Sequence, residues 1–149
     1  MAGEEAALPA DIEAAALIPA PPDEVFEFLC DLSNHWLLTG RHLTVVGLDG
    51  DADGATVQIR GPLGLRRTAH THVTASRRPR LMIGIAQLGD GTRARVSWTL
   101  AGRMNQTRVR LAADVEHAAP LDRVLLALGG KLWMRRVFRR ALARLAARF

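Results

Sequence analysis

Residues 18–36 read IPAPPDEVFEFLCDLSNHW, and this stretch decides how the rest of the chain is arranged. Prolines 19, 21 and 22 end any extended segment that precedes them, because proline has no backbone N–H to give to a ladder. Asp23 and Glu24 follow, and the first turn of a helix favours negative charge. Val25, Phe26, Leu29 and Cys30 then recur at helical spacing. The stretch predicts a helix from about Pro22 to about Asp31. A second short helical piece is predicted around residues 33–36, capped by Asp31 or Ser33.

Working outward, residues 11–18 (DIEAAALI) alternate Ile12, Ala14, Ala16 and Ile18 onto one face, the pattern of a strand. Residues 1–10 read as a mobile acidic leader. Beyond Gly40 the period becomes two. Strands are predicted at 42–48, 55–61, 66–76, 80–88, 92–101 and 107–117. The segments between them (DGDADG, GPLG, SRRP, GDG and GRMNQ) have the composition of hairpin turns. Alternation is clearest in the last two strands. Val96, Trp98 and Leu100 oppose Arg93, Arg95, Ser97 and Thr99; Val109, Leu111, Ala113 and Val115 oppose Arg108, Arg110, Asp114 and Glu116. One face meets a core or cavity and the other meets water.

From Leu121 the period is helical. Leu121, Leu125, Leu128 and Leu132 share one stripe. Past Gly129-Gly130 the stripe moves to Met134, Phe138, Leu142, Leu145 and Phe149. The two are offset by roughly a third of a turn on an ideal helix. A kink or a close approach at the glycine pair reconciles them.

One strand, two short helices, six antiparallel strands and a long C-terminal helix form a specific order. It resembles the helix-grip fold of the START / polyketide-cyclase / birch-pollen-allergen superfamily (SRPBCC). The residues that carry the resemblance are IPAPPDEVFEFLCDLSNHW at 18–36, similar to that family's strand exit and two helix starts. GPLGLRRTAHTHV at 61–73 resembles a turn and strand of the bacterial polyketide cyclase/dehydrase-like branch. The resemblance implies one α+β domain over residues 11–149, with a curved antiparallel sheet of about seven strands gripped by the terminal helix. It also implies an apolar pocket between the two, of the kind that holds lipids, polyketides, sterols or quinones. Fold likeness does not fix function, and the family has no shared catalytic motif to carry over.

Composition narrows the field. At 149 residues, 48% hydrophobic and 23% charged, the chain is in the globular range and long enough for a core. The lone cysteine, Cys30, makes neither an internal disulfide nor a zinc site. No apolar run of transmembrane length and no signal-peptide pattern is present, so the cytoplasm is the expected compartment. The net charge of +5 is unevenly spread: residues 131–149 hold seven basic side chains and no acidic one. Phosphate-binding loops, nucleophile elbows and zinc-protease spacings are absent from the sequence. No cofactor and no metal are expected.

Three functions compete. The first is a carrier or binder of a small apolar ligand, lined by Phe26, Leu29, Ile59, Ile83, Ile85, Val96, Trp98, Leu111, Leu128 and Leu132. Here His35, Trp36 or Arg41 meets the ligand's polar end. The second is a cyclase or dehydratase, in which a histidine or arginine polarises a carbonyl within a water-excluding cavity. The third is an interaction protein that docks on a membrane or a ribonucleoprotein through Arg135, Arg136, Arg139, Arg140 and Arg144. Anionic membrane suits that arc of charge; nucleic acid is not expected, since no aromatic stacking platform accompanies it. Each residue also has a bland reading: Trp98 as core, His35 as a loop histidine, His70 and His72 as solvent-facing strand residues, the arginines as the wet side of a surface helix.

Overall fold

The computed structural model describes residues 11–31, 34, 38, 43–48, 54–60, 66–88 and 91–149 (43–48 and 103 by their backbone). The 1–10 leader and most of the helical piece at 33–36 lie outside the described residues. Strand β1 (Ile12–Ile18) leads into helix α1 (Pro22–Cys30), which starts on a proline with Asp23 and Glu24 in its first turn. Six strands follow: β2 (Leu43–Leu48), β3 (Gly54–Arg60), β4 (Arg66–Arg77), β5 (Leu81–Leu88), β6 (Thr92–Arg103) and β7 (Gln106–His117). The chain ends in α2 (Pro120–Leu125), a π-helical turn (Leu126–Gly130) and α3 (Lys131–Ala147). All seven strands form one antiparallel sheet in the order β1-β7-β6-β5-β4-β3-β2. Consecutive strands pair as hairpins, while β1 closes on β7 with Ile12 opposite Ala113. This is the α+β helix-grip arrangement.

The register defines which residues share a face, because directly opposed residues in an antiparallel pair point to the same side. Trp98 faces Leu111 on β7 and Met82 on β5, and Leu111 faces Ala14 on β1. These residues form the concave face. α1 and α3 pack onto it over β1, β7 and β6. Val25, Phe26 and Leu29 of α1 join Phe138, Ala141, Leu142 and Leu145 of α3 in one core with Ile18, Trp98, Leu100 and Val109. A second, separate cluster of Ala55, Val57 and Ala69, with Ile59 and Leu88 against it, sits on the β3–β4 side of the sheet.

Close approach at the β6–β7 hairpin seats α1. A Cβ on Gly102 would stand 2.2 Å from Pro22 Cγ and 2.8 Å from the Gln106 carbonyl oxygen. The fully buried Thr107 hydroxyl donates to the Ala20 carbonyl at 2.7 Å, fixing the chain between β1 and α1.

The glycine pair does break the terminal helix. Leu128 has left helical geometry (φ −87°, ψ 15°), and Gly129 adopts φ +115°, a region open to glycine at little cost. A Cβ on Gly130 would lie 2.7 Å from the Leu125 carbonyl oxygen. The consequence corrects the predicted lining. Leu128 is 79% exposed and Leu132 51% exposed, so neither is enclosed between helix and sheet. In α2 and the π turn, Asp122 is the buried side chain, and the leucine stripe points the opposite way.

Ile83 and Ile85 are corrected too. Met82 pairs with Trp98 and Gly84 with Val96, so Ile83 and Ile85 fall opposite Ser97 and Arg95 on the convex face. Strand β5 (LMIGIAQL) is apolar at both parities, so alternation alone carried no mark of which set points inward.

Candidate functional site

Two adjacent rows across the concave face are built from small side chains. One runs Val73–Gly84–Val96–Ala113 and the other Ala55–Thr71–Ala86–Ala94–Val115, strand by strand. Thr71, Val73, Gly84, Ala86, Ala94 and Val96 are only half-buried, although they lie on inner strands of the sheet and on the side gripped by the helix. A helix packed directly on such a face would enclose these residues. A trough therefore lies between the two apolar clusters, floored by side chains no larger than valine, with Val73 and Val96 packed against the main core and Ala55 part of the second cluster. Trp98 (7% exposed) and Leu111 (4%) stand along one side of it within the main core.

One end of the trough is closed by charge. Arg67 has the same parity on β4 as Ala69 and Thr71, and so faces inward. Its guanidinium grips the Asp122 carboxylate in a two-pronged ion pair, with the Nη2–Oδ2 arm at 3.0 Å. The Thr92 hydroxyl donates to Asp122 Oδ2 and accepts from the Ala119 backbone N–H at 3.0 Å. Planar guanidinium and carboxylate match in shape, which makes this pairing geometrically specific. α2 is thus held to β4 and β6 by a buried polar latch in place of an apolar stripe. Asp122 also lies in the first turn of α2, where its charge suits the helix dipole.

The predicted site residues divide accordingly. Phe26, Leu29, Trp98 and Leu111 face inward and belong to the packed core. Val96 lies on the trough floor, and Ile59 is half-buried beside the second cluster. Ile83, Ile85, Leu128 and Leu132 point elsewhere. His35, Trp36 and Arg41 lie outside the described residues. His70 and His72 are exposed on the convex face, the His70 ring 3.0 Å from Thr56 Oγ1. Of the five predicted docking arginines, Arg136, Arg139 and Arg140 are exposed and Arg135 is half-buried. Arg144 is also exposed but donates to the Leu38 carbonyl at 3.1 Å. The Arg67–Asp122–Thr92 latch was missed. Its signal in the sequence is a cation at the apolar parity at the head of β4, ahead of Ala69, Thr71 and Val73, and a single acid in an otherwise basic terminal segment.

An open cleft lined by Asp23, Glu24, Glu27, Arg78 and Phe149 lies on the far side of α1. Its lining is mostly charged, with Phe149 as the apolar member. Among the described residues no cluster of metal-ligating side chains occurs, and no helix is long and apolar enough to cross a membrane.

The family model described as polyketide cyclase / dehydrase and lipid transport matches residues 9–149. The chain belongs to that family. Solved structures agree on the fold of this polyketide cyclase / dehydrase relative. TTHA0849 from Thermus thermophilus is 21% identical with a TM-score of 0.70, covering 92% of this chain and 94% of its own. The Zhui aromatase/cyclase from a Streptomyces species is 14% identical with a TM-score of 0.67, covering 92% and 91%. A START superfamily protein from Mycobacterium smegmatis is 11% identical with a TM-score of 0.62, covering 92% and 94%. No curated protein matches the sequence significantly.

Proposed function

We propose that this protein binds or carries a small apolar ligand (a lipid, polyketide or quinone-like molecule) in the trough between sheet and C-terminal helix. The observation that carries the reading is the double row of small, half-buried side chains between two separate apolar clusters. Apolar pockets with a few placed polar groups are the usual form of small-molecule sites. In the concave rows of the described strands, Arg67 is the one charged side chain, and Asp122 already engages it. That arrangement favours holding a ligand over converting it. Family membership and the aromatase/cyclase relative support a second reading, a cyclase or dehydratase. That reading needs two polar groups converging on one point of the trough, for which His35 and Arg41 are the candidates. Residues 11–149 act as one binding domain in either case, and the lone free Cys30 fits a reducing, cytoplasmic setting.

Native mass spectrometry of gently purified protein, beside the same sample after organic extraction, tests the proposal. A discrete excess mass that extraction removes is the expected result. A bare mass, followed by failure of a lipid and quinone panel to bind, overturns the carrier reading. Turnover of a polyketide substrate that is lost in His35→Ala or Arg41→Ala would establish the enzyme instead.

A further inference from the structure

Four large aliphatic side chains are turned to solvent along the start of the terminal helix: Leu121 (59% exposed), Val124 (52%), Leu128 (79%) and Leu132 (51%). Leu121 and Val124, at i and i+3, lie on the side of α2 away from the buried Asp122, and the exposed Leu128 follows in the π turn. Beyond the kink the exposed face is charged. Arg136, Arg139 and Arg140 are exposed on the face of α3 that also carries Leu132, opposite the buried Val137, Ala141 and Leu145. After Asp122 the chain has no acidic side chain.

We propose that this face docks peripherally on a bilayer containing anionic lipid, with the leucine stripe entering the headgroup boundary and the α3 arginines lying on the phosphates. Charge complementarity selects this occupant. A stripe of aliphatic residues bordered by basic ones is the composition of an interfacial helix. A second copy laid on the same face would bring two arrays of arginine together with no acid between them, which opposes association. A single-stranded nucleic acid would call for exposed aromatic platforms, and the stripe is aliphatic. The docking surface stands on exposed residues alone and does not depend on the trough being occupied.

Sedimentation of the full chain with vesicles of phosphatidylcholine, and with vesicles of phosphatidylcholine mixed with phosphatidylglycerol, tests it. The wild-type protein is expected to sediment with the mixed vesicles and to be released as salt is raised. Replacing Arg136, Arg139 and Arg140 together with Gln lowers partitioning on the order of 100-fold, at roughly fivefold per basic residue. Leu121→Gln with Leu128→Gln lowers it by about tenfold or more through lost apolar insertion. All five positions are exposed, so thermal melts of the variants should match the wild type, and the wild-type salt titration needs no variant at all. Three results overturn the proposal: wild type left in the supernatant with mixed vesicles, leucine variants that sediment like wild type, or a dimer in light scattering that Leu128→Gln dissociates.

Discussion

Cys30 closes α1 with its sulfur 3.7 Å from Arg78 Nη1, and the same guanidinium pairs with Glu27 and lies 5.3 Å from the Phe26 ring centroid. Cys30 is exposed at the surface, but partial desolvation of its sulfur pushes the thiol above its ordinary range; Arg78 opposes this and Glu27 adds to it. A raised pKa means less thiolate at any given pH, and the thiolate is the reactive form. The pH–rate profile for alkylation by iodoacetamide should therefore have its midpoint above that of free cysteine. It should move further up in Arg78→Gln, which removes the one group pulling the thiol down. A midpoint at or below that of free cysteine would contradict the assignment. Single residues were legible in proportion to how far their type restricts the backbone. The prolines before α1 and the glycine pair in the terminal segment both marked real events, since one lacks a donor and the other admits φ +115°. Tertiary partners such as Pro22 against Gly102 join positions far apart in the chain and leave no local trace.

At the scale of elements, α2 differs from α1 and α3 in how it is held. α1 buries Val25, Phe26 and Leu29, and α3 buries a stripe from Val137 to Leu145, whereas α2 buries Asp122. Removing one partner of a fully buried ion pair costs about 3–5 kcal/mol. Arg67 and Asp122 retain 20% and 10% of their side-chain exposure, so Asp122→Ala should cost somewhat less than that. Adding Arg67→Ala to Asp122→Ala should cost less than the sum of the two single changes, because both act on one ion pair. Hydrogen exchange should speed up across residues 119–130 in Asp122→Ala while α3 stays protected; equal loosening of both helices would show that α2 is not a separately latched element. The element order was readable because hairpin turns and helix starts are local chemistry. The inward face of β5 and the direction of the Leu121–Leu128 stripe were not. Both depend on a register or a polar anchor supplied by another part of the chain.

For the whole molecule, the trough predicts a separation of stability from binding. Ala86 lies in a half-buried small-residue row, between Thr71 on β4 and Ala94 on β6. In a filled core, Ala86→Phe would overpack and cost about 1–3 kcal/mol. In an open trough it should leave the denaturation midpoint nearly unchanged, yet eliminate the excess mass expected of the wild-type protein. A strongly destabilised variant would mean that the space is filled by protein.

The pairing of β1 with β7 sets Ile12 against Ala113, and α3 packs on both from the far end of the chain. A ribosome releases β1 long before either partner, so Ile12 and Ile18 leave the exit tunnel with nothing to cover them. The hairpins β2–β3, β4–β5 and β6–β7 can form as they emerge, but the main core closes only after Phe138, Leu142 and Leu145 are released. Non-local pairing of this kind slows folding and lengthens the time for which apolar strand surface is exposed. During synthesis, ribosome-associated chaperones would thus find their target in β1.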